Sequence, residues 1–141
     1  MKKHMICATL ALALAVTFSH NATAQSVRIL LRGNIPFAFE VGGKVLPAGN
    51  YEVLQVGADL YTIRSLRGDA AVQLMAFSYP QARTMPESAT LVFHRYGNRS
   101  FLSEVWRPAE IEGIQFANRE GESSARGAHA ERQIVALVLP R

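Results

Sequence analysis

The chain has 141 residues, of which 49% are hydrophobic and 18% are charged, and its formal net charge at pH 7 is +4. This length and this apolar content are typical of one globular domain that can bury a core of its own. The basic residues are spread singly along the chain rather than clustered in a stripe, so we expect no nucleic-acid partner.

The first 24 residues have the pattern of a secretory signal peptide. Two lysines start it, Met5–Phe18 is an apolar run too short for a permanent membrane span, and Ala22-Thr23-Ala24 is an A-x-A cleavage pattern. We therefore expect residues 25–141 to be exported to the periplasm or beyond as a single β-rich domain. Cys7, the only cysteine, lies in the leader, so the exported chain would be free of disulfides.

Short runs of alternating apolar residues, separated by turn residues, predict β-strands along the first half of this domain. Val27–Leu31 is the first strand, and we expect Gly33-Asn34 to end it. Glycine-containing turns separate the strands that follow. These predicted strands are Ile35–Val41, Lys44–Leu46, Tyr51–Val56, Leu60–Ser65 and Ala70–Ser78.

Residues 79–88 contain two prolines and little periodicity, which predicts a long loop. Long loops often carry binding groups, because they lie on the surface and are positioned by a rigid scaffold. Tyr79 and Arg83, together with Gln81 and Glu87, are therefore candidate ligand-binding residues.

The stretch Thr90–Trp106 predicts the central β-hairpin and contains the only tryptophan. Thr90–Tyr96 alternates with period two, Gly97-Asn98 tolerates positive φ, and Phe101–Trp106 returns. Both faces of each strand carry large apolar groups, which predicts a strand pair inside a closed or double-layered β structure rather than on an open sheet. Strict alternation divides the return strand into two faces: Phe101, Ser103 and Val105 on one, Leu102, Glu104 and Trp106 on the other.

His94 has the most versatile side chain of this hairpin, since an imidazole can be a general base, a metal ligand or a pH-sensitive donor. The simpler interpretation is a partly buried histidine bonded to a neighbour, and we prefer it because catalysis needs convergent partners. The other histidine after the leader, His129, is distant, so we predict no metal site. If the fold encloses a pocket, we expect His94, Tyr96 and Trp106 at its wall.

The region after the hairpin predicts two short strands, Ile114–Phe116 and Ile134–Leu139, with a polar stretch between them. The second half of that stretch predicts either a surface helix that begins near Ser123 or a mobile loop, because it has no continuous apolar stripe. In all, the sequence predicts about eight or nine short strands and one late helix, and therefore an all-β fold. An antiparallel β-sandwich and a small β-barrel are the two architectures that remain open.

Three segments have motifs that can be compared with a known pattern: Pro36–Gly42 (P-F-x-x-x-V-G), Leu46–Tyr51 (L-P-A-G-x-Y) and Leu91–Trp106 (L-V-F-H-R-Y-G-x-x-x-F-L-x-x-V-W). Together with Ala130-Glu131-Arg132 they resemble a family of small secreted bacterial proteins, of Acidobacteria type, whose function is unknown. The resemblance implies export and an all-β class. It implies no activity, and it carries over no catalytic residue.

Three classes of function remain open. The first is a non-catalytic binding or interaction module of the cell envelope, whose partner would be an envelope protein, a glycan or a small apolar ligand. The second is an assembly component that pairs through an exposed strand edge, either Val27–Leu31 or Ile134–Leu139.

The third and least supported class is a hydrolase. The sequence has no G-x-S-x-G motif, and a triad would have to be assembled around His94 without sequence support. The carboxylate pairs Glu110/Glu112 and Glu120/Glu122 lie in polar turns and loops, where solvated side chains are the default. We therefore assign no catalytic residue and no cofactor.

Overall fold

The computed structural model describes residues 26–117, 119–128 and 131–140, so the predicted leader and His129 lie outside the described residues. Over these residues the protein is all-β with one short helix, which confirms the predicted fold class. The strands are β1 (Arg28–Ile35), β2 (Phe39–Val41), β3 (Lys44–Leu46), β4 (Gly49–Gln55), β5 (Leu60–Ser65), β6 (Ala71–Ser78), β7 (Thr90–Tyr96), β8 (Arg99–Trp106), β9 (Ile114–Phe116) and β10 (Arg132–Val138). The helix α1 (Arg119–Gly127) lies between β9 and β10.

The strands form one ten-stranded sheet that is not closed into a barrel. Its path runs from β1 through β4, β5, β6 and β9 to β8, and continues through β7 to β10. The hairpin of β2 and β3 joins β8 through one parallel bridge, between Glu40 and Phe101. Among the described strands, β1 and β10 each have a single neighbour, so they are two free ends of the sheet.

The sheet bends so that its two halves pack face to face around one hydrophobic core. Val53 and Ile63, from β4 and β5, belong to the same buried cluster as Phe93 of β7. The Phe39 ring makes edge-to-face contacts with Tyr51 and Phe93, at centroid separations of 5.2 and 5.7 Å. Burying side chains of this size stabilises the fold by about 1.5–3 kcal/mol each.

The first strand extends beyond its predicted end. Gly33 and Asn34, expected to end it, are paired with β4, and β1 continues to Ile35. A Cβ on Gly33 would lie 2.4 Å from the nearest Leu139 side-chain carbon. Glycine is therefore needed here for the close approach of the two ends of the sheet, and not for a turn. The next strand, β2, is correspondingly shorter than predicted.

The central hairpin is confirmed, with a tighter turn than expected. The pairing of Tyr96 with Arg99 leaves only Gly97 and Asn98 in the turn. Gly97 has a φ of +59°, as a two-residue hairpin turn requires.

A β-bulge breaks the predicted alternation of the return strand. Phe93 pairs with Leu102 and Val92 pairs with Glu104, so Ser103 is the extra residue of β8. As a result Leu102 and Val105 both face the core, although strict alternation placed them on opposite faces.

The helix α1 packs on the outer face of β7 and β8. Ala125 is buried with Tyr96 and Phe101 in a second, smaller cluster. A Cβ on Gly121 would lie 2.9 Å from the Phe101 ring, so the helix backbone approaches the sheet closely at this point. The prediction that the helix begins near Ser123 is wrong, because the first turn is held by this packing and not by an apolar stripe. The inner face of the central hairpin packs in the main core, and its outer face is covered by this helix rather than by a second β layer.

No helix among the described residues is both long enough and apolar enough to span a membrane.

Candidate ligand-binding cleft

A cleft of about 340 Å³ lies between α1 and the outer face of the sheet. This volume is at the low end of the range of about 300–1,000 Å³ that is usual for small-molecule sites. Its lining comes from β6 to β10 and from α1: Phe77, His94, Ser103, Gln115, Phe116, Ala117, Glu122, Ser123, Arg126 and Arg132.

Two other clefts have similar volumes but different walls. One is lined by Arg28 and by the loop between β4 and β5, and the other lies where Leu139 passes β1. The cleft beneath α1 is the one in which a histidine, a glutamate and two arginines converge. Convergent titratable groups are what distinguish a candidate site from an ordinary surface groove.

The His94 imidazole is held by a carboxylate of the helix. Its Nδ1 lies 2.8 Å from Oε1 of Glu122, and both side chains are 15% exposed. A carboxylate only accepts hydrogen bonds, so Nδ1 carries the proton and donates it to Glu122. In the neutral ring Nε2 is then an acceptor, and no described residue hydrogen-bonds to it.

Glu122 ties α1 to the central hairpin through a second bond. Its Oε1 also accepts a hydrogen bond of 2.8 Å from the Tyr96 hydroxyl. The Arg126 guanidinium, one helical turn further on, lies 3.9 Å from the same oxygen. The Tyr96 hydroxyl and, more weakly, the Glu122 carboxylate raise the pKa of Arg126 above its usual value. The Glu122 carboxylate therefore accepts hydrogen bonds from His94 and Tyr96, and the exposed Arg126 is a nearby cation.

The bulge of β8 places Ser103 in the same cleft. His94 pairs with Phe101, so Ser103 is its diagonal neighbour across the hairpin. Ser103 is buried, and none of the hydrogen bonds between described residues uses its hydroxyl. Its oxygen is therefore available to donate to a ligand and to accept from one.

The Gln115 side chain is also oriented by a neighbour. The Ser78 hydroxyl donates to Gln115 Oε1 over 2.6 Å. The Gln115 amide nitrogen remains as a donor at the wall of the cleft.

The rim of the cleft carries positive charge and an aromatic ring. Arg126 and Arg132 are exposed, and Arg132 forms no ion pair with any described residue. Phe77 is 58% exposed. Two arginines against one glutamate leave a positive excess, so the cleft favours an anion.

The structure brings two of the predicted ligand-binding residues to this region and leaves a third outside it. His94 lines the cleft, and Tyr96 is buried beneath α1 and bonded to Glu122. Trp106 lies at the far end of β8, where its Nε1 donates to Glu104 over 2.8 Å and its ring covers Gly113.

The two predicted loop candidates also lie outside the cleft. The Tyr79 hydroxyl donates to Asp59 over 2.5 Å, and burial followed by this bond raises its pKa far above the usual value. This side chain fastens the loop to the start of β5. Arg83 is exposed in the middle of the loop.

Sequence reasoning missed most of the lining. Glu122 was expected to be solvated, yet it is largely buried against the hairpin. A usable signal was present: Gly121 and Ala125 are small residues four positions apart, and such pairs allow a helix to lie close to a sheet. The residues that follow them, Glu122 and Arg126, then lie beside the contact.

Among the described residues, no group of three or more histidine, cysteine, aspartate or glutamate side chains is placed to hold a metal ion. Comparison with known proteins found no matching family model, no matching curated protein and no matching solved structure. The functional argument therefore depends on the chemistry of the cleft itself.

Proposed function

We propose that this protein is an exported, non-catalytic binding module of the cell envelope, and that the cleft beneath α1 binds a small anionic ligand. The observation that carries the proposal is the convergence of the His94–Glu122 pair with Arg126 and Arg132 around one cleft of about 340 Å³. The predicted leader and the resemblance to small secreted proteins support export.

The chemistry of the walls favours a polar partner over the small apolar ligand that the sequence left open. Most lining side chains are polar or charged, and the apolar ones, such as Phe77 and Phe116, are a minority. An apolar ligand would leave the Ser103 hydroxyl and His94 Nε2 without partners, which costs about 1–3 kcal/mol for each buried group. An anion with hydrogen-bonding groups satisfies these atoms.

Two measurements test this function. Native mass spectrometry of the protein purified from its host should detect a bound or exchangeable acidic small molecule. A calorimetric screen of carboxylates, phosphates and sulfates should then find at least one that binds the wild type and binds Arg132→Gln more weakly. Arg67→Gln is a suitable control, because Arg67 is an exposed arginine in the turn before β6. If the wild type binds no anion, the proposal is wrong.

A second candidate function is self-assembly through β10, which pairs only with β7 among the described strands and lies in one of the two segments that the sequence offers as an edge. Ile134 and Val138 on this strand are 64% and 62% exposed, and residues 133–138 carry no charge. Free edges are usually protected by charged side chains, as Arg28 and Arg32 protect β1. Two copies of β10 can pair antiparallel without a charge clash, so the second copy is the occupant we propose.

Sedimentation of the protein at increasing concentration tests this second function. We expect a dimer that Ile134→Lys dissociates. Met75→Lys is the matched control, because Met75 is equally exposed but lies on β6, which has a neighbour on each side. A strictly monomeric wild type would remove this candidate.

A further inference from the structure

We infer that the ligand of the cleft is an acidic sugar, a pyranose that carries both a carboxylate and neighbouring hydroxyl groups. This inference rests on the proposed function and narrows it from anions in general to one chemical class. It follows from three demands of the cleft, each of which is a chemical group that the ligand has to provide.

The first demand is for a carboxylate at the rim. Guanidinium groups are planar, and they bind carboxylates through two parallel hydrogen bonds. Arg132 has no ion-pair partner among the described residues, and Arg126 is only 3.9 Å from the oxygen of its own partner, Glu122. The rim therefore has room for one further carboxylate.

The second demand is for hydroxyl groups at the floor. In the neutral form of His94, Nδ1 donates to Glu122 and Nε2 is an acceptor that a ligand donor satisfies. The Gln115 amide nitrogen needs an acceptor, because its carbonyl oxygen is already used by Ser78. Ser103, between them on the same wall, can do either. A sugar hydroxyl both donates and accepts, so adjacent hydroxyls satisfy all three side chains.

This second demand discriminates against other anions. Sulfate only accepts hydrogen bonds and leaves Nε2 of neutral His94 without a donor, whereas inorganic phosphate keeps a hydroxyl near neutral pH and is disfavoured by its charge instead. They would also bring additional negative charge close to the Glu122 carboxylate, which lies on the same wall. A simple carboxylate such as acetate satisfies the rim but not the floor.

The third demand is for an apolar face. Phe77, which lines the cleft and is 58% exposed, presents an aromatic ring at the rim. A pyranose ring has faces of C–H groups between its polar edges, and these faces pack against aromatic rings. One ligand class therefore provides the carboxylate, the hydroxyls and the apolar face together.

Calorimetric titration with D-galacturonate and its short oligomers tests the inference, with D-galactose, acetate and inorganic phosphate as probes of the separate demands. We expect the acidic sugars to bind at least about 10-fold more tightly than each of the other three. Arg132→Gln should weaken the binding of the acidic sugars about 10-fold, so that their affinity approaches that of galactose. Arg67→Gln should leave the affinity for the acidic sugars unchanged.

Ser103→Ala isolates the hydroxyl demand, since it removes one polar atom and little volume. This substitution should weaken the binding of the acidic sugars and leave the affinity for acetate unchanged. If phosphate or acetate binds as tightly as galacturonate, the acidic-sugar inference is wrong although the proposed function stands. If none of the charged probes binds, both are wrong.

Discussion

Glu52 and Glu122 are two of the described glutamates that are withdrawn from solvent, and their partners differ in kind. Glu52 lies in the middle of β4, fully buried between Arg32 of β1 and Arg64 of β5. Arg32 Nε lies 2.9 Å from one carboxylate oxygen and Arg64 Nε lies 2.9 Å from the other. Glu122 instead faces a histidine and a tyrosine at the wall of a cleft.

The two glutamates differ in how much hydrogen-bonding capacity their partners keep for a ligand. The two arginines neutralise Glu52 and occupy both of its oxygens, so this cluster holds three strands together and offers a ligand nothing. The hydrogen-bond donors to Glu122 are a histidine and a tyrosine, and in the neutral form of His94 this bond leaves Nε2 as a defined acceptor. A buried carboxylate therefore indicates a site only when its partners keep hydrogen-bonding capacity that faces a cleft.

The largest expected effect comes from breaking the structural cluster. Glu52→Gln removes the charge that pairs Arg32 and Arg64, and we expect the free energy of unfolding to fall by about 2–3 kcal/mol. The arginine side chains are half exposed, which keeps the loss below that of a fully buried pair. Urea denaturation measures it, with Glu131→Gln as an exposed control, and ligand binding in the cleft should not change. A loss of unfolding free energy below about 0.5 kcal/mol would mean that Glu52 contributes no more to stability than an ordinary surface residue does.

The same cluster should make stability depend on pH. The hydrogen bond from Arg64, followed by that from Arg32, lowers the pKa of Glu52 below its ordinary value of 4.5. A carboxyl group whose pKa is lowered in the folded state contributes stability that is fully present above 4.5 and is lost as pH falls through the folded value. The stability difference between wild type and Glu52→Gln should therefore be constant above pH 4.5 and shrink as the pH falls below 4.5 and through the lowered pKa of the folded state. A difference that stays constant over the lower range as well would contradict this account.

The position of the helix over the cleft can be tested with two glycines of α1. Gly121→Ala places a Cβ against the Phe101 ring, and we expect it to cost about 1–2 kcal/mol and to weaken ligand binding. A Cβ on Gly127 would have no neighbouring atom within 4 Å, so Gly127→Ala should stabilise the protein by about 0.5 kcal/mol. Thermal unfolding of both variants measures the contrast. Equal effects would mean that α1 does not pack as closely as described.

The smallest expected loss of stability comes from the glutamate of the cleft. Glu122→Gln keeps the size of the side chain but removes its charge, and it should cost only about 1 kcal/mol. Its amide can donate to His94 Nδ1, which would leave Nε2 as the protonated nitrogen. We therefore expect a change of selectivity, in which phosphate gains affinity relative to galacturonate. An unchanged ratio of the two affinities would show that Glu122 does not set the hydrogen-bonding role of His94.

The sequence predicts strands well where local patterns decide them. Leu60–Ser65 was predicted with its observed bounds, because alternation and turn residues define it without help from the rest of the chain. The end of the first strand was predicted wrongly at Gly33, because this glycine is required for the close approach of Leu139, which is far away in sequence. The Ser103 bulge has no local signal, so the alternation rule failed there.

The site was less predictable than the fold, because its contacts join distant parts of the chain. His94 was recognised from its residue type, and the preferred interpretation, a partly buried histidine bonded to a neighbour, agrees with the structure. Its partner Glu122 is 28 residues further on, in a helix whose position depends on tertiary packing. Arg132 belongs to a strand that reaches the cleft only by pairing with β7.

The most direct test of the central claim is the protonation state of His94, measured by two-bond ¹H–¹⁵N NMR of the imidazole with and without galacturonate. Glu122 should hold the neutral ring with its proton on Nδ1, and added galacturonate should shift the Nε2 resonance. A His94→Gln variant assigns the signals. A proton on Nε2 in the free protein, or an Nε2 resonance that galacturonate does not shift, would contradict the account.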